Sequence, residues 1–350
     1  MKQFDRVLIT GCGGMLGNAV YPYFLKRCKT VVATDKKADE AWLSELDVRD
    51  SAAVLAAFDD LKPNLVLHLA AETDLEFCEA HPEVAAATNA TATHHIAELC
   101  RRHNATLVYI STAGVFDGAK QENYTELDAP KPIMVYGQTK FDGENYVRAC
   151  DGAYYVVRAG WMVGGGPTKD HKFVSKILEQ IATGRRVLHA VEDRWGTPTY
   201  THDFANNLFR LLDTKEYGTY HMVCGGSGTR HAVAQEIVAI CGRDDIRVEP
   251  VGSEFFADEY FAPRPRSEML VNANLNRLGV NLMRPWQVAL REYVHVEYAQ
   301  LLTGAAADAA NRAWNRVERR ALSDRRQAQA GPHETEQRQL MDRRAIRRDA

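Results

Sequence analysis

The segment Thr10-Gly11-Cys12-Gly13-Gly14-Met15-Leu16-Gly17 constrains what this chain can fold into more than any other. Glycines 11, 14 and 17 recur every three residues between a short apolar run, Phe4–Ile9, and a stretch from Met15 to Arg27 that reads as a helix. Glycine at such a junction permits a tight turn and lets backbone N–H groups approach an anion at the positive end of the helix. With 24 Gly in 350 residues such a triplet can arise by chance, so its surroundings decide its meaning. Further apolar runs follow at Thr30–Ala33, Asn64–Leu69, Ala105–Ile110 and Ala153–Arg158, with an Ala-rich helix expected from Glu83 to His103. Strands separated by helices of this length require right-handed crossovers and hence a doubly wound parallel sheet of the α/β class.

The rhythm breaks after Gly160. Gly164-Gly165-Gly166-Pro167, then Pro263 and Pro265, suggest a smaller C-terminal lobe. The expected division is a nucleotide-binding domain over 1–160, a substrate-binding lobe over 161–304 with returns to the sheet, and a tail over 305–350. The tail holds eleven Arg and no Lys against seven acidic residues, a surplus of +4, so with a net charge of −3 the rest of the chain carries −7. With little apolar material the tail cannot build a core and reads as a solvated extension, able to contact an unknown anionic partner.

Several function classes are excluded at this stage. The net charge gives no general attraction to nucleic acid. No apolar run reaches the length of a membrane span. The opening residues do not read as a secretory signal, and the seven cysteines are never spaced as C-x-x-C, so reduced thiols in a cytoplasm are expected, with neither a disulfide framework nor a zinc site. His94 and His95 are adjacent on a helix and diverge, so no metal is expected there.

The remaining candidates fall at the carboxyl edges of the strands, where open α/β sheets bind ligands. Asp35 closes the second strand and is placed to accept the ribose hydroxyls of a dinucleotide; Asp47-Val48 is placed beside the adenine or on a surface turn. A carboxylate at Asp35 repels a 2′-phosphate, whereas Lys36 and Lys37 attract one, so NAD(H) or NADP(H) is expected with a lean toward NAD(H). Tyr136 and Lys140 are four apart on an expected helix and share a face, and Ser111-Thr112 ends the preceding strand. A nearby ammonium is expected to lower the pKa of the phenol, making Tyr136 a general acid. Asn89 is expected to hold backbone or a water beside the site, or to be a polar residue on a helix face.

The glycine loop, Ser111-Thr112-Ala113-Gly114-Val115-Phe116-Asp117-Gly118 and Tyr136-Gly137-Gln138-Thr139-Lys140, in this order, resemble the extended short-chain dehydrogenase/reductases. Val157-Arg158-Ala159-Gly160-Trp161, Gly196-Thr197-Pro198-Thr199-Tyr200, Arg264-Pro265-Arg266-Ser267 and Arg284-Pro285-Trp286 narrow the likeness, over Met1 to about Leu302, to the dTDP-4-dehydrorhamnose reductase family. The resemblance implies a Rossmann-type fold and NAD(P)H-dependent reduction of a nucleotide-sugar ketone, with Thr112, Tyr136 and Lys140 catalytic. It implies that Gly11, Gly14, Met15, Leu16, Gly17, Asp35, Asp47, Val48, Leu69, Ala70 and Ala71 line the cofactor together with Tyr136 and Lys140. Thr73, Thr112, Trp161, Arg194 and Arg266 then face the sugar nucleotide, and a homodimer is an open expectation. Two departures stand out: Ala113-Gly114 where the family commonly has Asp-Tyr, and Glu72 where it often has an aromatic or His. The alternatives are an epimerase or dehydratase of the same superfamily, and a non-catalytic regulatory subunit like that of methionine adenosyltransferase.

Overall fold

The computed structural model describes residues 4–303; the tail lies outside the described residues. β1 (Arg6–Thr10), β2 (Thr30–Asp35), β3 (Ser44–Glu45), β4 (Leu65–His68), β5 (Thr106–Thr112) and β6 (Tyr154–Ala159) join a last strand, Gly218–His221, in one seven-stranded sheet. The order is Gly218–His221, β6, β5, β4, β1, β2, β3, and every pairing is parallel. This is the doubly wound Rossmann arrangement, whose order reverses between β1 and β4. Central strands buried on both faces need near-continuous apolar sequence, and all four residues of β4 are buried.

The helices α1 (Met15–Leu25), α2 (Ser51–Leu61), α3 (Leu75–Ala80), α4 (Pro82–Ala86), α5 (Ala92–Arg102) and α6 (Val135–Ala149) cover the sheet. The face carrying Leu8, Val66, Leu107 and Val156 packs against residues of α2, α5 and α6. The other face begins at Val7, Ile9 and Leu67 and continues without a break through helix Thr201–Leu212 into helices Phe173–Ala182, Arg230–Ile240 and Trp286–Glu297. The lobe and the sheet thus share one apolar core. Among the described residues, no helix is long and apolar enough to cross a membrane.

The single helix expected from Glu83 to His103 is interrupted. Between α4 and α5 the residues Ala87–Thr91 form a π turn. The extra residue turns Asn89, fully buried, back toward β4 and α6.

Candidate active site

The first turn of α1 receives no side-chain cap, and its N-cap is Gly14. Its leading N–H groups are therefore left for an anion, at the end of the helix where the dipole favours one. The other two glycines serve contact. Gly11 has φ +68°, and a Cβ there would lie 2.4 Å from the Ala70 nitrogen; at Gly17 one would lie 2.2 Å from the Cys12 carbonyl oxygen. Beside Gly14 the nearest atom to a Cβ is 3.6 Å away. Leu69 and Ala70 thus back the loop, with Leu69 N–H donating to Thr10 O at 3.0 Å, and Ala71 follows them toward Glu72. These features fit a dinucleotide diphosphate.

Asp35 lies where expected, with Oδ2 accepting the Gly13 N–H at 2.9 Å. Lys36 and Lys37 are exposed. Glu40 pairs with Lys169, which follows the lobe's three consecutive positive-φ glycines, Gly164–Gly166. Arg49 engages the Asp47 carboxylate at 2.6 Å at the surface, and the adjacent Val48 is buried. Asp35→Ala is expected to raise the NADPH/NADH ratio of kcat/KM about tenfold, since one nearby surface charge is worth about 1–4 kcal/mol. Steady-state kinetics with both cofactors checks this, and an unchanged ratio removes Asp35 from the ribose site.

Thr112 ends β5 and Tyr136 begins α6. The Thr112 hydroxyl lies beside the Tyr136 phenol, and the Gly114 N–H donates to Thr112 Oγ1 at 3.1 Å. Gly137 lets α6 approach, since a Cβ there would sit 2.1 Å from the Gly114 oxygen. The expected lowering of the phenol pKa is overturned. Burial raises it, with the Thr112 hydrogen bond opposing and the Cys78 and Glu268 charges adding to the rise. Lys140 cannot act as a full fixed cation here, because burial drops its own pKa to about 7, with Glu144 opposing. Its ammonium lies 4.1 Å from the centre of the Tyr109 ring.

Lys140 thus holds its proton more weakly folded than unfolded. Below about pH 7 both states are charged and the desolvation penalty is fully present; stability recovers as pH rises toward 10.5. Lys140→Met is accordingly expected to raise the melting temperature of the ligand-free protein at pH 6, with the gain shrinking by pH 9. It should also weaken NAD(P)H binding. Thermal scans at both pH values check the first part and titration the second.

Behind the pair, Asn89 accepts the Glu72 N–H at 2.8 Å and donates to Glu72 O at 3.0 Å and to Thr139 Oγ1 at 3.1 Å. It fixes the loop after β4 to α6, which is the backbone-holding role expected of it. Glu144, one turn beyond Lys140, accepts from Ser111 at 2.6 Å and from Arg158 Nε and Nη2 at 2.8 Å each. Thr73 is exposed and accepts from Lys172 Nζ at 3.3 Å.

On the lobe side, Trp161 donates its indole N–H to Glu268 Oε2 at 2.8 Å, and Arg230 lies 3.7 Å from its ring centre. Arg266 lines a cleft of about 670 Å³ with Lys120, Trp195 and Ser267, and Arg194 is turned onto Asp193 at 2.9 Å. Glu268, Arg230 and Lys172 were not among the expected site residues. Glu268 directly follows the Arg264–Ser267 segment singled out above, and that adjacency was the available signal. Among the described residues no group of three His, Cys, Asp or Glu could hold a metal ion.

The model of the RmlD substrate binding domain matches residues 5–299. The chain belongs to this family. A dTDP-4-dehydrorhamnose reductase from Streptomyces griseus is 35% identical over 294 residues, covering 82% of this chain and 92% of the relative. The structure of a dTDP-4-dehydrorhamnose reductase from Clostridium acetobutylicum is 35% identical with a TM-score of 0.75, covering 82% of this chain and 98% of its own. The Bacillus anthracis reductase in complex with NADP is 29% identical with a TM-score of 0.75, over 83% of this chain and 98% of that one. As an RmlD-family member the chain is an NAD(P)-dependent oxidoreductase of the short-chain type.

Proposed function

We propose that the chain reduces the 4-keto group of a nucleotide-activated 6-deoxy sugar with NAD(P)H, NADH being favoured. The observation that carries this reading is the placement of the Tyr136 phenol beside the Thr112 hydroxyl at the carboxyl edge of β5, on the side of the sheet where the uncapped end of α1 lies. When bound, the reduced nicotinamide supplies the hydride.

The chain's own groups do the rest. As negative charge grows on the carbonyl oxygen, Tyr136 gives its proton to that oxygen as general acid. Burial keeps the phenol protonated throughout the neutral range, and the forming alkoxide is far more basic than a phenolate, so the transfer still runs downhill. Thr112 donates a second hydrogen bond to the same oxygen, worth most where water is excluded. Lys140 holds the nicotinamide ribose, and a negatively charged ligand beside it restores its proton affinity. Trp161, Thr73, Arg194 and Arg266 face the sugar nucleotide. Incubation with NADH or NADPH and a panel of 4-keto-6-deoxy nucleotide sugars tests the reading. Stoichiometric loss of reduced cofactor with one member is expected; no oxidation with any of them overturns it.

A further inference from the structure

Gly114 stands beside Thr112 where the family commonly carries a tyrosine, and Met134 Cε takes up the place its first side-chain carbon would have. A first side-chain carbon at Gly114 would lie 2.5 Å from Met134 Cε, 3.4 Å from Thr112 Oγ1 and 3.7 Å from Glu268 Oε1. The Thr112 hydroxyl and the carboxylate oxygen are therefore separated by no more than the sum of the last two distances. One end of the carboxylate is fixed, because Oε2 accepts the Trp161 indole N–H at 2.8 Å. Trp161 is itself clamped, with Arg230 3.7 Å from its ring centre and the Gly196 backbone against its other atoms, where a Cβ would fall 2.2 Å from the ring. The other oxygen, Oε1, lies on the Gly114 side of the carboxylate. An acceptor held by one oxygen thus has its other oxygen on the side of Thr112, near enough to Tyr136 for its charge to act on the phenol.

We propose that Glu268 is a specificity-determining residue that orients the hexose, Oε1 accepting a hydrogen bond from the hydroxyl on the carbon next to the ketone. The inference rests on the reading given under Proposed function. In a 4-keto-6-deoxyhexose the carbonyl carbon has two carbon neighbours: C5, which bears the methyl group and the ring oxygen, and C3, which bears a hydroxyl. With the carbonyl oxygen held by Tyr136 and Thr112, the C3 hydroxyl is the neighbouring group able to donate to a carboxylate beside Thr112. An ionised carboxylate only accepts, so it selects for that donor. Facing the growing oxyanion instead, it would oppose the reaction. Burial raises the Glu268 carboxyl pKa, and the Trp161 hydrogen bond with the charges of Arg230 and Arg264 opposes that rise in favour of the ionised form. A sugar without the hydroxyl leaves the carboxylate desolvated and unanswered, and a hydrogen bond to a charged group contributes about 1.5–3 kcal/mol, or roughly 10–100-fold.

The test compares kcat/KM for a dTDP-4-keto-6-deoxyhexose and its 3-deoxy counterpart in the wild type, Glu268→Gln and Glu268→Ala, with NAD(P)H binding measured for each. The wild type should prefer the hydroxylated sugar by roughly 10–100-fold. Glu268→Ala should bring the ratio to within about threefold of unity, and Glu268→Gln should lower it at least fivefold, well inside the expected range. Glu268→Gln keeps an acceptor for Trp161 and carries the test if Glu268→Ala fails to bind cofactor. A wild type without the preference, or variants that retain it while turning over, overturn the role of Glu268 alone. A wild type that turns over neither sugar overturns the proposed reaction, and this inference with it.

Discussion

Tyr136→Phe should lower kcat by about 10²–10⁴-fold, the usual contribution of a positioned general acid, while leaving NAD(P)H affinity nearly unchanged. The phenylalanine ring keeps the packing of α6 against the turn that follows β5. The glycine loop, Asp35 and Lys140 all remain. The Thr112 hydroxyl remains and can still donate to a substrate oxygen, so the residual rate reports that hydrogen bond and the cofactor alone. Single-turnover kinetics at saturating cofactor, with the dissociation constant measured by fluorescence titration, separates the two quantities. Turnover within about threefold of wild type, far inside the range for a general acid, removes Tyr136 from the chemistry.

Arg158→Met should produce the largest loss of stability. The Glu144 side chain is fully buried and that of Arg158 is 2% exposed. Burial alone would raise the carboxyl pKa, but the Arg158 hydrogen bonds and charge, with Ser111 and Arg148, hold it below the ordinary range. Removing one partner of a buried pair leaves a desolvated charge and costs about 3–5 kcal/mol, or roughly 6–15 °C in melting temperature for a domain of this size. Because the native carboxyl pKa is depressed, the stability it contributes is present at neutral pH and lost as pH falls through the acidic range. The deficit of Arg158→Met should therefore be largest near pH 7 and shrink toward pH 4, where Glu144 takes up a proton. Thermal unfolding of both proteins across this range checks it; a deficit independent of pH would point to lost packing instead.

Much of this architecture is legible in the residues because the cues are local. Apolar runs a few residues long announced β1, β4, β5 and β6 to within two residues at each end, and the glycine loop announced the first crossover. Tyr136 and Lys140 were legible because they are four apart on one helix. The π turn at Ala87–Thr91 was not, since nothing in an Ala-rich stretch marks the added residue; its cause is the buried demand of Glu72 and Thr139 for Asn89. Glu268 and Arg230 were missed because pairing of the short strands Gly228–Thr229, Trp195–Gly196 and Ser267–Glu268 brings them together across the chain. The direction of the Tyr136 shift failed for a related reason. A lysine four residues away lowers a phenol pKa only while it stays charged, and burial weakens the hold of Lys140 on its proton.

The most direct test follows one hydrogen. With NAD(P)H deuterated at the transferable position of the nicotinamide and a dTDP-4-keto-6-deoxyhexose, the proposed reaction places one deuterium on C4 of the sugar for each cofactor oxidised, read by NMR and mass spectrometry of the product. An epimerase or dehydratase cycle returns the hydride and consumes no reduced cofactor, and a regulatory subunit that only binds the dinucleotide transfers nothing. Deuterium at C4 in a one-to-one ratio with oxidised cofactor is the predicted result; an unlabelled sugar with the reduced cofactor intact would contradict it.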